Sequence, residues 1–261
     1  MANKLKIEHL KDFLDEKAEL YDNPRFIESD PIQIPHQFTR KEDIEIIAFL
    51  VATIAWGNRK GIINNGNKLV TIMGNSPYDF ILNYSSVKSK KGILQNFVHR
   101  TFNAVDLDYF ILSLQNIYLN HDGLESIFSN HQTKDSLQPA IHQFKKVFFE
   151  LNHEKRTEKH VSDPLKNSAA KRINMFLRWM VRPNNTGVDF GLWKSISTSK
   201  LSCPLDVHTG NIGRRLGLLH RKTNDAKALI ELDSSLRMFD KYDPVKYDFA
   251  LFGLGVFENF R

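Results

Sequence analysis

One carboxylate and one amine stand in this chain where each could take part in covalent chemistry. Asp206 follows Pro204 and precedes a basic, glycine-containing segment, so it lies at the start of a predicted helix. Lys171 begins a second predicted helix, whose apolar residues recur at helical spacing: Ile173, Phe176, Leu177 and Met180. An amine attacks carbon only when it is neutral, and a helix N-terminus with a neighbouring cation such as Arg172 favours that form. The two residues are therefore candidates for a nucleophile and a charge-stabilising carboxylate.

Each of these residues also has an ordinary explanation. An aspartate after a proline at a helix start is commonly an N-cap, a role worth about 1 kcal/mol. That role is compatible with catalysis by Asp206. A lone lysine at the start of a helix, such as Lys171, is usually a solvated surface residue. The residue types alone leave these alternatives open.

The elements that must position the two residues are predicted to be helices. Helical periodicity is common and strand signals are scarce, so the predicted fold class is all-α. Segment 43–56 is apolar on most faces, as suits a central helix, and Gly57 is expected to end it. Further helices are predicted from Asn58, from Ser76 and Pro77, and over 106–119, 137–151, 171–181, 207–219, 225–239 and 243–253.

The most polar stretch, 152–160, predicts an exposed connection between two helical lobes. We expect an N-terminal helix and an extended arm over residues 1–40, followed by a helical lobe over 41–160. The presumed catalytic lobe, with a hairpin-like segment, then covers 161–261.

Composition predicts a globular protein that works without a metal. Of the 261 residues, 41% are apolar and 25% are charged, and no apolar run approaches the roughly 20 residues that span a bilayer. The N-terminus lacks the apolar region of a signal peptide, which predicts a cytoplasmic location. Cys203 is the only cysteine, which excludes an internal disulfide and a four-cysteine metal site, and the ten histidines show no ligand spacing.

Positive charge is concentrated around the two candidate residues. Segment 164–224 contains eleven basic and two acidic residues, a balance of +9, whereas the whole chain carries +6. A positive block on a mildly acidic body is typical of a protein that contacts phosphates. The alternative is a solvated face of lysines and arginines.

Two segments resemble a known superfamily. The segment from Pro204 to His208 resembles the proline, apolar, aspartate, valine, histidine segment of the helix-hairpin-helix DNA glycosylases. Segment 165–171 occupies the place of their hairpin, whose pattern is leucine, proline, glycine, apolar, glycine, any residue, lysine. The lysine is matched by Lys171, whereas the proline and both glycines are replaced by Lys166, Asn167 and Ala169. Asn167 could still adopt a positive φ, but Ala169 does so poorly.

The 35 positions between Lys171 and Asp206 are closer to the spacing of archaeal 8-oxoguanine glycosylases, and the overall pattern also resembles a bacterial family without established function. The resemblance implies a two-lobed helical glycosylase fold with a remodelled helix-hairpin-helix. It also implies a base-excision glycosylase with AP lyase activity on an oxidised purine such as 8-oxoguanine. Lys171 would form a Schiff base with the sugar, and Asp206 would stabilise the cationic sugar. Double-stranded DNA would be the partner, with no metal, no cofactor and no membrane.

Several further residues are candidates on this interpretation. The basic residues that could contact phosphates are Lys166, Arg172, Arg178, Arg214 and Arg215. Asn58 and Arg59 lie at the helix junction that, in the superfamily, enters the duplex, although both also suit an ordinary helix start. Trp179, Trp193 and His208 are candidates for the base pocket, with core packing as the alternative for the tryptophans and a structural role for the histidine.

A different class of function stays open beside this one. The altered hairpin favours a nucleic-acid-binding protein that keeps the glycosylase fold without its chemistry. A protein-interaction scaffold is a third alternative, and it predicts no salt-dependent contact between the +9 segment and DNA. The lesion, the choice between DNA and RNA, and the oligomeric state are not predicted.

Overall fold

The computed structural model describes residues 2–84, 92–258 and 260. Regular structure in these residues is helical apart from one small hairpin, so the predicted all-α class is confirmed. None of the described helices has both the length and the apolar composition needed to cross a membrane. The α-helices are α1 (Ala2–Tyr21), α2 (Arg25–Ser29), α3 (Lys41–Thr53), α4 (Arg59–Ile72), α5 (Pro77–Leu82), α6 (Ala104–Asn120), α7 (Gly123–Asn130), α8 (Gln138–Phe148), α9 (Lys171–Val181), α10 (Val207–Arg215), α11 (Ala226–Phe239) and α12 (Tyr247–Val256). Strands β1 (Val98–His99) and β2 (Phe102–Asn103) pair antiparallel.

The predicted helices are present, and they differ from the prediction mainly at their ends. Helix α9 has the predicted bounds, whereas α10 ends at Arg215 instead of continuing to residue 219. Gly217 adopts a φ of +73° there, and the amide of Leu218 donates back to the carbonyl of Gly213 at 2.8 Å. Helix α7 and the β-hairpin are not predicted by the sequence pattern.

The prediction of an extended arm before residue 40 is wrong. Residues 25–37 fold into α2 and two short 3-10 turns, Pro31–Gln33 and Pro35–Gln37. Each turn begins with a proline, whose fixed φ suits the first position of a helical turn. Ile32 and Ile34 are fully buried, so apolar burial is the reason that this segment is not extended.

The described residues divide into two compact units. The first consists of the residues up to Phe26, Thr133–Gln138 and those from Asp163 onward. The second consists of Ile27–Gln132 and Pro139–Ser162. The described residues near both ends of the chain therefore belong to the first unit, which also contains Lys171 and Asp206.

Four helices of the first unit, α1, α10, α11 and α12, share one apolar core. Buried side chains from each of them meet there, among them Leu14, Ile212, Leu232, Leu251 and Leu254. Helices α1 and α12 contact each other at Gly253, where a Cβ atom would overlap the ring of Tyr21. The absence of a side chain at Gly253 is therefore what allows these two helices to pack.

Gly253→Ala is expected to destabilise the protein by about 1–3 kcal/mol, because the added methyl group must displace the Tyr21 ring. The measurement is the urea midpoint of both proteins. Gly61→Ala is the matched control: no atom lies within 4 Å of its added Cβ, and alanine is favoured over glycine in a helix by about 0.5–1 kcal/mol. Equal midpoints for Gly253→Ala and the unsubstituted protein would contradict this account of the packing.

Phenylalanine rings build the core of the second unit. Phe49 of α3 lies 5.9 Å from Phe110 of α6, and 5.4 Å from both Phe144 and Phe148 of α8, measured between ring centroids. Such contacts add stabilisation to the burial of large apolar surfaces. The cluster ties α3, α6 and α8 together.

Candidate active site

Lys171 is the first residue of α9 and follows a tight hairpin. The positive φ expected at Asn167 is present, at +65°, whereas the second left-handed residue is Ala170, at +43°, and not Ala169. An alanine in this conformation costs roughly 1 kcal/mol or more. Ser168 supports it, because its Oγ accepts the amide of Ala170 at 3.1 Å. The strained residue thus directly precedes the amine and fixes the direction in which α9 begins.

Asp206 is the N-cap of α10, as predicted. Its Oδ1 accepts the amide of Thr209 at 2.9 Å, and its backbone is extended. Its own carbonyl accepts two further donors, the amide of Gly210 at 2.9 Å and the side-chain Nδ2 of Asn224 at 2.7 Å. The carboxylate is therefore held by one oxygen, and its Oδ2 is directed elsewhere.

Lys171 and Asp206 meet although 35 positions separate them. The Lys171 Nζ lies 3.8 Å from Asp206 Oδ2, and the two side chains are 30% and 20% exposed. At this distance the amine is paired electrostatically but is not locked in a short hydrogen bond. A partly exposed amine beside a carboxylate that is fixed by its other oxygen can attack an electrophilic carbon, and the carboxylate can take up the proton released.

Asp248 is a buried acid whose charge interacts with those of both Lys171 and Asp206. It belongs to the first turn of α12, forms an ion pair with Arg178 and accepts the thiol of Cys203, with Sγ 3.6 Å from Oδ1. Burial raises the pKa of Asp248 to about 6, Arg178 opposes that shift, Asp206 adds to it and Lys171 opposes it. Burial likewise raises the pKa of the Cys203 thiol, which is therefore kept protonated. Asp248 is thus coupled to both candidate residues while shielded from water.

Three of the side chains that the sequence predicts to contact DNA are instead buried within the protein. Arg178 is 3% exposed, and its Nε lies 3.2 Å from Oδ1 of Asp189, in addition to its pairing with Asp248. Trp179 and Trp193 are fully buried, and the ring of Trp193 meets that of Phe176 at 5.4 Å. These side chains form the interior of the first unit, as the core-packing alternative for the tryptophans predicted.

The other predicted phosphate contacts differ in their accessibility. Lys166 in the hairpin and Arg215 at the end of α10 are exposed. Arg172 is half-buried, and burial lowers its pKa to about 10. Arg214 is also half-buried, and its Nε donates to the carbonyl of Arg221 at 2.8 Å. Lys166 and Arg215 are therefore the candidates best placed to reach a phosphate.

The backbone amides of the hairpin are largely engaged within the chain. Those of Leu165, Lys166 and Ser168 donate to Asp163, that of Asn167 to the carbonyl of Pro164, and that of Ala170 to Ser168. A hairpin that binds phosphate through its backbone needs amides directed outward. Most of these amides are therefore not directed outward, and exposed side chains such as Lys166 are better placed to contact a phosphate near the hairpin.

The remaining candidates are His208, Asn58 and Arg59. His208 is exposed in the first turn of α10, with its ring 6.4 Å from that of Phe252. Asn58 is exposed and caps α4, because its Oδ1 accepts the amide of Gly61 at 3.2 Å, and Arg59 is half-buried. Asn58 and Arg59 belong to the second unit, and Asn58 has the ordinary helix-start role that the sequence also allows.

Comparison with known proteins assigns the chain to a family. The family described as "Protein of unknown function (DUF2400)" matches residues 30–257. The chain belongs to the DUF2400 family. No curated protein and no solved structure matches it. The matched range contains Lys171, Asp206 and Asp248, so all three lie within the part of the chain that defines its membership of DUF2400.

Two residues near the candidate pair in this DUF2400 chain are not among those predicted from the sequence. Asp248 is a charged residue in an otherwise apolar helix, Tyr247–Val256, and that contrast could have marked it as a buried, paired acid. Asn224 reaches the carbonyl of Asp206 from a loop 18 positions away. No periodicity marks such a contact in advance.

Asp233 is another buried acid of the DUF2400 chain. Its raised pKa leads us to expect that the free energy of unfolding falls as the pH rises. Burial raises its pKa to about 6, although Arg237 opposes the shift and the amide of Cys203 donates to its Oδ1 at 2.9 Å. The folded protein holds this proton more tightly than the unfolded chain. The resulting stabilisation is fully present below pH 4 and is lost as the pH rises through 6, by about 3 kcal/mol for a shift of about two units.

Asp233→Asn is therefore expected to remove that loss. The free energy of unfolding in urea, measured between pH 4 and pH 7.5, should fall by about 3 kcal/mol less in this variant than in the unsubstituted protein. Asp135→Asn, which removes a carboxylate from an exposed position, is the control. Parallel pH dependences for the unsubstituted protein and Asp233→Asn would contradict the prediction.

Proposed function

We propose that this DUF2400 protein is a DNA glycosylase with AP lyase activity that acts through a lysine Schiff base. The observation that carries the proposal is the 3.8 Å separation of Lys171 Nζ and Asp206 Oδ2 at the starts of two helices. Schiff-base chemistry needs an amine close to the carboxylate that handles its protons. The type of reaction is proposed from the resemblance of both segments to helix-hairpin-helix glycosylases.

Lys171 and Asp206 would each take part in the steps of this reaction. The neutral amine of Lys171 attacks the anomeric carbon, and the bond between that carbon and the base breaks with its electron pair on the base, which takes up a proton. Asp206 Oδ2 stabilises the positive charge that develops on the sugar and accepts a proton from the new ammonium group. Ring opening then gives the Schiff base, and loss of a proton from the adjacent carbon expels the 3′ phosphate.

The charge distribution supports DNA as the partner. The +9 segment 164–224 carries the pair, and Lys166 and Arg215 present exposed cations within it. Because most of the hairpin amides are engaged, phosphate binding would depend largely on such side chains and would weaken as salt rises. An oxidised purine such as 8-oxoguanine is the proposed base, on the resemblance alone.

The test is borohydride trapping, which reduces a Schiff base to a stable covalent adduct. Duplexes that contain 8-oxoguanine, uracil, an abasic site or no lesion are incubated with the purified protein and sodium borohydride. We expect an adduct on the abasic and 8-oxoguanine duplexes and none on the undamaged duplex. An adduct on the uracil duplex in place of the 8-oxoguanine duplex would keep the chemistry and correct the substrate.

A nucleic-acid-binding protein without catalysis is the second candidate. Two observations favour it: most of the hairpin amides are bonded within the chain, and both tryptophans proposed for the base pocket are buried. Salt-dependent DNA binding without an adduct on any duplex, including the abasic one, would establish this second function and exclude the first.

A further inference from the structure

Two consecutive residues, Asn224 and Asp225, contact the segments that carry the amine and the carboxylate. They lie in the loop between α10 and α11, and both they and the segments that they contact belong to the first unit. Asn224 is bonded to Asp206, and Asp225 pairs with the hairpin that leads into Lys171. We refer to these two residues as the clasp.

The Asp225 side of the clasp is tied to the hairpin through backbone and side chain. Ser168 and Asp225 form an isolated antiparallel bridge, the amide of Ala226 donates to the carbonyl of Asn167 at 3.3 Å, and Asn167 Nδ2 lies 3.4 Å from Asp225 Oδ2. Asp225 is itself fixed, because it caps α11 through the amide of Ala228 at 3.0 Å. The hairpin is therefore bonded to a residue whose own side chain is held in one orientation.

The Asn224 side of the clasp holds the backbone of Asp206. Its Nδ2 donates to the Asp206 carbonyl at 2.7 Å, while its Oδ1 accepts Nη2 of Arg214 at 2.5 Å. This close approach requires a glycine at position 210, since a Cβ there would lie 2.7 Å from Asn224 Oδ1. An exposed asparagine that is bonded through both ends of its amide gives up side-chain freedom to hold this contact.

We propose that Asn224 and Asp225 are positioning residues that set the distance between the Lys171 amine and the Asp206 carboxylate. This inference rests on the proposed function for its consequence, which is the rate of Schiff-base formation. Reactions between held groups are sensitive to misplacement of about 1 Å, which can cost roughly 10²-fold in rate. Loss of the clasp should thus slow the chemical step and leave DNA affinity unchanged.

The kinetic test uses two variants and their combination in the full chain. Asn224→Ala removes the bond to Asp206. Gly210→Ala displaces the same asparagine together with its partner Arg214, whose Nη1 would lie 2.9 Å from the added Cβ, although alanine is the better helix former. We expect each to lower the single-turnover rate of adduct formation on an abasic duplex by at least about 10-fold at saturating DNA. The double variant should be no slower than either single variant, because both act through the same contact.

Two controls separate positioning from general damage. Gly213→Ala alters the same helix, but its added Cβ meets no atom closer than 3.5 Å, so its rate should match that of the unsubstituted protein. Asn224→Asp keeps an acceptor for Arg214 and loses the donor to Asp206, so it should be as slow as Asn224→Ala. A raised dissociation constant for DNA with an unchanged rate would instead make Asn224 a DNA contact and overturn the proposal.

A second measurement tests the clasp without DNA. The amide of Thr209 is bonded to Asp206 Oδ1, so its hydrogen exchange reports how firmly that carboxylate is held. We expect exchange about 10-fold faster in Asn224→Ala and unchanged in Gly213→Ala. If the unsubstituted protein forms no adduct, the proposed function fails while this exchange still tests the clasp. Unchanged exchange in Asn224→Ala would overturn the clasp, whether or not the unsubstituted protein forms an adduct.

Discussion

Lys171→Ala is expected to abolish the borohydride-trapped adduct, lowering the rate of its formation by at least about 10³-fold. The amine lies 3.8 Å from the carboxylate, and alanine supplies no nucleophile in its place. The substitution should leave folding nearly intact, since Lys171 is 30% exposed and alanine is favoured in a helix. The measurement is the amount of covalent adduct on an abasic duplex with time, beside the thermal midpoint of each protein.

Lys166→Ala is the matched control for this prediction. Lys166 is an exposed lysine five positions before Lys171 in the same hairpin-like segment. Its loss should weaken DNA binding, most at low salt, and leave the adduct formed at saturating DNA unchanged. An adduct that persists in Lys171→Ala would show that a different amine attacks and would remove Lys171 from the mechanism.

Local pattern predicted the helices that carry the site, and the reason is physical. Apolar spacing fixes which face of α9 must be buried, and a proline followed by an aspartate marks where α10 begins. The proximity of Lys171 and Asp206 follows only from the roles that the resemblance assigns to both residues, since no periodicity relates residues 35 positions apart. The all-α class followed from the same local signals.

The buried charges show why the rest could not be predicted. Arg178 is a basic residue in a basic segment, so charge alone makes it a phosphate contact. It is buried because two acids, Asp189 and Asp248, lie 11 and 70 positions away in sequence and neutralise it. Trp179, the next residue in the chain, is buried as well. A side chain's accessibility depends on such distant partners, whereas its helical phase depends only on its neighbours.

The hairpin shows a similar division between local and distant causes. The positive φ of Asn167 could be expected from the residue type, because asparagine tolerates that conformation. The second left-handed residue is Ala170, whose conformation is supported by Ser168 and by the helix that follows. The bridge from Ser168 to Asp225 then fixes the hairpin against α11. Only the first of these features has a signal in the sequence.

Asp206→Asn is expected to lower the rate of base release by about 10²–10⁴-fold while leaving the protein folded and able to bind DNA. The amide keeps an oxygen for the amide of Thr209, so the cap of α10 survives. It loses the negative charge that faces Lys171, and with it both the stabilisation of a cationic sugar and the proton acceptor. The measurement is single-turnover base release from a lesion-containing duplex.

Asp206→Ala separates the two roles of this carboxylate. It should lose the same activity as Asp206→Asn and in addition about 1 kcal/mol of stability, because no oxygen remains to cap α10. Equal urea midpoints for the Asn and Ala variants would show that the cap contributes nothing. Full activity of Asp206→Asn would show that the charge is dispensable, and the proximity of Lys171 and Asp206 would then be a surface ion pair of the kind that contributes little.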